Sequence, residues 1–435
     1  MKEINYIYVY IFLIISLNLS SCKTLKNTFK SFADDTEIAT ITKNDENALV
    51  DAIEILNKEG GTIYIDTPII NITNTSLTLT GKISGGIIGI RQPNGQYPRI
   101  SFINSKLTKE LSGLFIYGSN KFIEYMIIEH SLTYGVQVLG ENNIFDHVMS
   151  RYNKGSGFLV DGDFNTFNYC YSYRNFDTNL NLVNSDGFRI QSEMGTVINN
   201  CFSWDNCNTG FNYIRTRNSS DLSFVKSASW NNGNVDVFTG KYDYDSGYPL
   251  DRNLWTIQDI IKSDKSYVNN YYNKKNKKFS IANAKIGELT ANEWVAYVNP
   301  KMRGEGFTFG NQNSSQSIDV KRSSLFNVAF DHKIGGGFVD NFNHKYNAFI
   351  TNTVAFNNGI NFKFPFYTLS KWSNNWSWNS KNKEQLNGDA ALLRPQNTNT
   401  AQRLFINVRN QITNAAFSHK FPDVVSYDKA IESLK

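Results

Sequence analysis

Short runs in which apolar and polar residues alternate, separated by Asn and Gly, fill the middle of the chain. Two examples are Gly-Phe-Arg-Ile-Gln at 187–191 and Thr-Val-Ile-Asn-Asn-Cys-Phe-Ser-Trp at 196–204. A period of two in runs this short is typical of β-strands that end in turns. The pattern therefore predicts a protein built from many short strands.

Two phrases recur along these runs. One is Ser or Ala, an aromatic residue, any residue and then Asn; the other is Gly-Phe a few residues later. The first occurs at 172–175, 203–206, 229–232 and 355–358, with a variant at 329–332 that ends in His332, and Gly-Phe begins at 157, 187, 210, 306 and 337. The Gly-Phe pairs are thus 30, 23, 96 and 31 residues apart. Repeats of twenty to thirty residues indicate a solenoid.

We predict an all-β fold, a right-handed parallel β-helix in which each repeat forms one coil. Asn side chains at the same turn of successive coils can hydrogen-bond up and down the stack. Asn also tolerates the left-handed backbone that a sharp corner requires. The recurring Asn is therefore expected to form a ladder at one corner of the coil.

The ends of the chain carry helical patterns. Residues 44–59 place Leu49, Ala52, Ile53 and Leu56 on one face, and Gly60-Gly61 precedes a strand at 62–65. Such a helix can cover the open edge of the first coil. Residues 400–415 and 428–434 are candidates for a cap at the other end.

A single domain is expected over 36–435, with coils at about 62–380 and a C-terminal cap at about 381–435. The 96-residue gap exceeds one coil, so about 235–303 is an insertion. Its segments 254–261 and 290–298 have helical patterns. The insertion either lines the binding side or decorates the surface, and the sequence leaves both open.

The first 22 residues predict a lipoprotein signal peptide. An apolar run ends at Leu-Ser-Ser before Cys22, which resembles the site where a Cys is acylated, and 23–35 resembles a polar tether. The alternative is an ordinary cleaved signal peptide with an incidental Cys. The expected location is the bacterial outer membrane or cell surface, through a lipid anchor.

The composition and charge of the chain limit the classes of partner that are expected. The formal net charge is +5, and aromatic residues make up 14% of the chain. A mild basic excess permits an acidic polymer as partner, whereas nucleic acid is not expected for an exported protein. Beyond Cys22 only Cys170, Cys201 and Cys207 remain, so at least one thiol is unpaired within the chain. We expect a monomer.

Four phrases together resemble the ninth polysaccharide-lyase family, the β-helix pectate lyases and their relatives. They are Asn-Ser-Asp-Gly-Phe at 184–188, Asn-Thr-Gly-Phe-Asn at 208–212, Trp-Asn-Asn-Gly at 230–233 and Gly-Glu-Gly-Phe at 304–307. The resemblance covers about residues 130 to 365. It implies β-elimination on a uronate, in which a base removes the C5 proton and a cation neutralises the adjacent carboxylate.

The resemblance also implies a calcium site and a lysine base, and the sequence departs from both. Asp186 occupies a calcium-ligand position, but Asn208, Thr209 and Asn212 stand where the family has acidic residues. One carboxylate with neutral amides is a poor calcium cage. Thr308 stands at the position of the base, and its hydroxyl has no useful basicity near neutral pH. We therefore expect no cofactor, with calcium only weakly supported.

Strand alternation suggests a substitute site. If each Phe after Gly points inward, the next residue points outward, which gives an exposed ladder of Leu159, Arg189, Asn212, Thr308 and Val339. The candidate catalytic residues are Thr308, Arg189 and Arg215, and the candidate substrate-binding residues are Arg189, Asn212, Arg217 and Lys226. An Arg can pair with a uronate carboxylate without a metal. The cations can equally be ordinary surface residues. His130, His147, His332 and His344 are candidate bases, for which a turn or packing role is the competing interpretation.

The expected function is a cell-surface polysaccharide lyase, or lyase-like protein, acting on an acidic uronate-containing glycan such as pectate. The alternative is a non-catalytic glycan-binding lipoprotein on the same scaffold, and a structural or adhesive surface protein is the third class. A base within reach of a bound uronate would favour the enzyme, whereas a groove with aromatic residues and no base would favour binding.

The lipoprotein assignment makes a direct prediction. Cys22→Ala removes the expected acylation point, so the variant should leave the membrane fraction and appear in the soluble fraction after cell fractionation. A variant that remains fully membrane-bound would show that Cys22 is not the anchor.

Overall fold

A computed structural model describes the chain over most of the solenoid. The described residues are 36–106, 112–176, 185–192, 194–214, 222–234, 237, 303–310, 321–340, 347–422 and 427–434, with the backbone of four short strands between 267 and 285. The signal segment, the tether and the predicted helices at 254–261 and 290–298 lie outside these residues.

The chain forms a parallel β-solenoid, as predicted, in which each coil contributes one strand to each of three columns. Strands in one column pair in parallel with their equivalents in neighbouring coils. Columns one and two form one sheet because the strands Lys121–Glu129 and Ile144–Arg151 run through both. Column three forms a separate ten-stranded sheet.

The remaining strands fall into the three columns as follows. Column one contains Glu37–Ile41, Gly61–Ile65, Gly85–Gly89, Thr166–Asn168, Val197–Asn199, Leu222–Val225, Lys321–Leu325, Asn347–Thr351 and Thr368–Ser373. Column two contains Ile69–Asn71, Arg99–Ser101, Tyr171–Tyr173, Phe202–Trp204, Ala228–Trp230, Val328–Phe330, Val354–Phe356 and Trp376–Trp378. Column three contains Leu77–Leu79, Leu114–Ile116, Val136–Val138, Phe158–Val160, Phe188–Ile190, Phe211–Tyr213, Phe307–Thr308, Gly336–Val339, Ile360–Phe364 and Gln385–Leu386. Within the insertion, Tyr267–Val268 pairs antiparallel with Ala284–Lys285, and Tyr271–Asn273 with Lys278–Ser280.

The N-terminal helix α1 spans Glu46–Glu59 and buries the four predicted residues, Leu49, Ala52, Ile53 and Leu56. Asp45 begins it, and its side chain accepts a hydrogen bond from the Ala48 N–H. A strand that the sequence analysis missed, Glu37–Ile41, precedes the helix and pairs with Gly61–Ile65. The solenoid therefore begins before its capping helix.

The Gly-Phe phrases supply the core of column three. Phe158, Phe188, Phe211, Phe307 and Phe338 are fully buried and stack ring on ring. Their successive ring centroids are 4.6, 4.9, 4.6 and 4.8 Å apart. This spacing matches the distance between paired strands, so each coil places its ring on the one before.

The predicted Asn ladder is present at the corner between columns two and three. The Nδ2 of Asn153, Asn175 and Asn206 each donates to the Oδ1 of the next ladder Asn at 2.9 Å. His332 takes the place of Asn in its coil, where its Nδ1 accepts the Asn232 N–H and its own N–H donates to Asn358 Oδ1. The ladder thus continues through the histidine.

The left-handed backbone lies one residue earlier than predicted. The residue before each ladder position has a positive φ, as at Arg174 (53°), Asp205 (55°) and Asn231 (51°). The ladder Asn therefore serves as a hydrogen-bonding group and not as the left-handed residue. Arg174 and Asp205 also form an ion pair with each other, at 3.2 Å.

The C-terminal helices were expected to cap the end of the solenoid. They lie along its side instead. Helix α2, Thr398–Phe417, and helix α3, Tyr427–Glu432, pack on an aromatic stack on the outside of column two. In α2, Phe405 contacts Trp378, while Phe417 contacts Tyr173 several coils away. Since column two carries large apolar side chains on both faces, this outer face needs the helices as a cover.

The thiols of Cys170, Cys201 and Cys207 are buried, and none of the three forms a disulfide. In the part of the chain that the structure describes, no helix has the length and apolarity to cross a membrane.

His332 makes the ladder sensitive to pH. Burial lowers the pKa of His332 from 6.5 to about 3, against the effect of its hydrogen bonds to Ser229 and Asn232. Between about pH 3 and 6.5, His332 is therefore protonated in the unfolded chain but not in the folded chain. Stability is lost as pH falls below 6.5, with a slope from this group of about 1.4 kcal/mol per pH unit.

We predict that His332→Asn removes this slope and keeps the ladder, since an amide can make both hydrogen bonds. The test is urea unfolding of the wild type and of His332→Asn between pH 7 and 5. The free energy of unfolding of the two proteins is compared at each pH. His332→Ala is the control, because it leaves Asn232 N–H and the Ser229 carbonyl without the imidazole and should be less stable at every pH. Equal slopes in the wild type and His332→Asn would contradict the assignment.

Candidate active site

The residues after each inward Phe form one row on the outer face of column three, which we call the outer row. Register pairs Leu159 with Arg189, Arg189 with Asn212, Asn212 with Thr308 and Thr308 with Val339. The row continues to Lys363 at one end and to Gln137 and Phe115 at the other. All five positions of the predicted ladder therefore lie in line, one in each coil.

The outer row is less exposed than predicted. Leu159, Asn212, Thr308 and Val339 are 6%, 3%, 0% and 3% exposed, whereas Arg189 and Lys363 are half-buried. The polar members are directed at one another: Thr308 Oγ1 donates to Asn212 Oδ1 at 2.8 Å and accepts the Tyr213 N–H at 3.0 Å. The expectation of an exposed ladder is therefore wrong at these four positions, which are buried.

A second row runs beside the outer row and consists of the residues before each glycine of the Gly-Phe phrases. We call it the corner row; it contains Ser156, Asp186, Thr209 and Glu305, linked coil to coil by backbone hydrogen bonds. Each following glycine faces inward, since a Cβ on Gly187 would lie 1.9 Å from Ser203 Oγ and one on Gly306 2.9 Å from His332 Nε2. Of the corner-row residues, Asp186 contacts the outer row, through Asn212 Nδ2.

Asp186 connects the two rows. Its Oδ1 accepts hydrogen bonds from Asn208 Nδ2 at 2.7 Å and from the Thr209 N–H at 3.1 Å. Its Oδ2 accepts from Asn212 Nδ2 at 2.9 Å. Burial raises the pKa of Asp186, while the Arg189 charge and these hydrogen bonds act in the opposite direction. Both oxygens of the Asp186 carboxylate thus accept hydrogen bonds from neighbouring residues.

This arrangement does not fit the calcium site that the resemblance implied. Asn208 and Asn212 present their NH₂ groups to Asp186, and their carbonyl oxygens accept from Arg303 N–H and Thr308 Oγ1. Calcium needs six to eight oxygen ligands, of which a carboxylate cluster is usually the centre. Across the described residues, no group of three His, Cys, Asp or Glu side chains is placed to hold a metal ion.

The structure adds two charged residues that the sequence analysis did not select. Glu305 is half-buried in the corner row, and Lys363 is half-buried in the outer row. Burial raises the pKa of Glu305 to about 7; Arg303 and Lys363 lower it, and Asp186 raises it further. Glu305 stands in one of the phrases that carried the resemblance, but the predicted ladder consists of the residues after each Phe. The coil of Lys363 lacks the Gly-Phe phrase that marked the others.

Other candidates do not reach this face or lie outside the described residues. Lys226 occupies the corner between columns one and two, and its Nζ forms an ion pair with Asp428 Oδ2 at 2.9 Å. It is therefore held by helix α3 and is not on the outer row. Arg215, Arg217 and His344 lie outside the described residues.

The described candidate histidines lie at corners of the coil or in the Asn ladder. His130 and His147 sit at corners with φ of 61° and 54° and stack on tyrosines. His332 belongs to the Asn ladder, where its pKa of about 3 keeps it neutral.

Comparison with known proteins agrees with this architecture. Residues 31–247 match the family described as Pel9A-like, right handed beta helix region. No curated protein matches the sequence. The crystal structure of pectate lyase Pel9A is similar with a TM-score of 0.60 and 16% identity, covering 92% of this chain and 90% of that one. A rhamnogalacturonan lyase structure is similar with a TM-score of 0.55 and 14% identity, covering 82% of this chain and 85% of that one.

These likenesses establish the fold. The family match, to a Pel9A-like right-handed β-helix region, agrees with this fold over residues 31–247.

The hydrogen bonds around Asp186 predict that calcium does not bind there. Isothermal titration at neutral pH should show no binding tighter than about 10⁻⁵ M, the range of calcium sensors. The midpoint of thermal unfolding should also be the same with excess calcium and with a chelator. Tight binding that is lost in Asp186→Ala would mean that the amides turn their oxygens toward a metal.

Proposed function

We propose that the protein is a polysaccharide lyase that cleaves an acidic, uronate-containing glycan by β-elimination on the outer face of column three. The observation that carries the proposal is the pairing of two rows on one face. Arg189 and Lys363 stand on the outer row, and the carboxyl groups of Asp186 and Glu305 stand on the corner row beside it. Similarity of fold to pectate and rhamnogalacturonan lyases supports the same class of substrate.

Elimination next to a carboxylate needs a positive charge to stabilise the enolate as it forms. An arginine can do this with two parallel hydrogen bonds to the carboxylate. Arg189 and Lys363 are four coils apart on the row, or about 19 Å at a strand spacing of about 4.8 Å. The face thus offers two cationic positions along the solenoid axis, which can meet carboxylates on two sugars several units apart in one polymer.

The proposal is tested by incubating the purified protein with a panel of polymers that includes polygalacturonate, rhamnogalacturonan and alginate. Elimination forms a double bond between C4 and C5 of the new terminal sugar, which absorbs in the ultraviolet. Growth of this absorbance with one acidic polymer is the expected result. A neutral polymer of similar length is the control, and absence of product with every acidic polymer would overturn the proposal.

Arg189→Ala should lower kcat/KM on the active polymer by roughly 10- to 100-fold, the value of a charge-assisted hydrogen bond. Arg189→Lys should recover part of the loss, because it keeps the charge but not the bidentate geometry. Arg403→Ala, on the exposed face of helix α2, is the matched control and should retain full activity. Loss of thermal stability in Arg189→Ala without loss of activity would show that Arg189 only balances Asp186.

One observation favours non-catalytic glycan binding as the second candidate. Phe115 lies on the outer row, and Tyr117, 64% exposed, packs against it with ring centroids 5.8 Å apart. Exposed aromatic rings can stack on sugar rings. Binding of an acidic polymer without any unsaturated product would select this function over the lyase.

We further propose that the protein acts at the bacterial outer membrane or cell surface, held by lipid on Cys22. The support is the sequence alone, through the apolar segment that ends just before this cysteine. A polymer too large to enter the cell would then be met outside it.

A further inference from the structure

Toward the N-terminal end of the solenoid, the outer face of column three carries two aromatic rings. Phe115 pairs in register with Gln137 of the next coil. It faces outward, because its neighbours Leu114 and Ile116 point into the core and have no exposed surface. Tyr117 follows at the end of the same strand and is 64% exposed. An open aromatic ring therefore borders the outer row.

The two rings form a corner. Their centroids are 5.8 Å apart and their planes meet at 70°. A pyranose ring has an apolar face made of C–H bonds, and such a face packs well on the negative π-face of an aromatic ring. A sugar that lies on the Tyr117 ring meets the ring of Phe115 at its edge. The corner thus offers two apolar surfaces to one sugar unit.

Gln137 adds a polar group beside the corner. Its Oε1 accepts a hydrogen bond from the hydroxyl of Ser112, which is buried. This bond orients the amide, and its NH₂ group remains as a donor at a half-buried position of the outer row. A hydroxyl or carboxylate oxygen of the sugar on the aromatic corner can accept from it. The apolar and polar sides of one sugar unit thus both find partners here.

Arg189 stands on the same row as this corner. Register runs from Phe115 through Gln137 and Leu159 to Arg189, which is three coils in all. At a strand spacing of about 4.8 Å, the distance along the solenoid axis is about 14 Å. One unit of an extended polysaccharide advances by a length similar to one coil. A chain with one sugar at Arg189 therefore places another, three units away, at the aromatic corner.

We propose that Phe115, Tyr117 and Gln137 form a remote sugar subsite, which binds the acidic polymer three units away from the sugar that meets Arg189. The inference rests on the proposed function, because it takes the polymer to lie along the outer row. The remote subsite contributes to the binding of long chains and takes no part in bond breaking. It makes the protein selective for polymers over short oligomers.

The ring is tested with Tyr117→Ala, by titration calorimetry against polygalacturonate or, if another acidic polymer is cleaved faster, against that polymer. Affinity should fall roughly 3- to 10-fold, the range of one aromatic ring contact. Tyr117→Phe keeps the ring and should bind as the wild type does. Leu404→Ala, which removes an exposed apolar side chain from helix α2, is the matched control and should also bind normally.

The amide is tested with Gln137→Glu. This change keeps an oxygen for the Ser112 hydroxyl and replaces the NH₂ donor by a carboxylate oxygen, which repels an acidic sugar. We expect affinity for the polymer to fall by at least about 10-fold, the value of a hydrogen bond to a charged group. Gln411→Glu adds the same charge to an exposed position of helix α2 and controls for general repulsion.

Chain length provides a readout that a structural role would not move. A trisaccharide from the active polymer spans two steps of the row, so it cannot reach both Arg189 and the aromatic corner. Tyr117→Ala should therefore raise KM for the polymer at unchanged kcat and leave kcat/KM for the trisaccharide at the wild-type value. An equal loss on both substrates would show that Tyr117 supports the fold or the reaction and is not part of a remote subsite.

The outcomes separate this inference from the lyase function. If the wild type cleaves a polymer that folded Tyr117→Ala and Gln137→Glu bind with wild-type affinity, the remote subsite is overturned and the lyase function stands. If the wild type binds a polymer without cleaving it and both variants bind more weakly, the remote subsite stands and the lyase function is overturned. A wild type that neither binds nor cleaves any acidic polymer overturns both.

Discussion

The coil-to-coil register is the constraint on which the other features depend. Each ladder Asn uses its amide to bind the next, so a coil cannot slide along its neighbour without breaking buried hydrogen bonds. Column three begins a few residues after the ladder. The ladder therefore also fixes which residue of each coil stands on the corner row and which on the outer row. A one-residue slip would turn Phe188 outward and Arg189 into the aromatic core.

The repeat made the solenoid, its Phe stack and its Asn ladder predictable, since these depend on residues that recur at the same place in each coil. The alignment of Arg189, Asn212 and Thr308 was predictable for the same reason. The burial of Asn212 and Thr308 was not, because it depends on hydrogen bonds between coils that are separated by the insertion. Glu305 and Lys363 were missed because the charges around them are brought together only by the stacking of coils.

The departures from the lyase pattern form a connected set. Replacing acidic residues by Asn208, Thr209 and Asn212 converts a cluster that would repel itself into donors that satisfy Asp186. With the carboxylate held in this way, a metal is not needed to offset charge at this corner. Under the proposed function, Arg189 and Lys363 are the cations of the outer row that an acidic polymer would meet.

The lateral C-terminal helices have a consequence for how the molecule folds. In a solenoid held only by neighbouring coils, units can form and fray one at a time. Here Arg151 and Tyr173 donate to the carbonyl of Ala416, 265 and 243 residues further along the chain. Such contacts raise the contact order and cannot form until helix α2 has been synthesised. Helix α2 therefore ties early coils to late ones and converts a stack of separable units into one cooperative body.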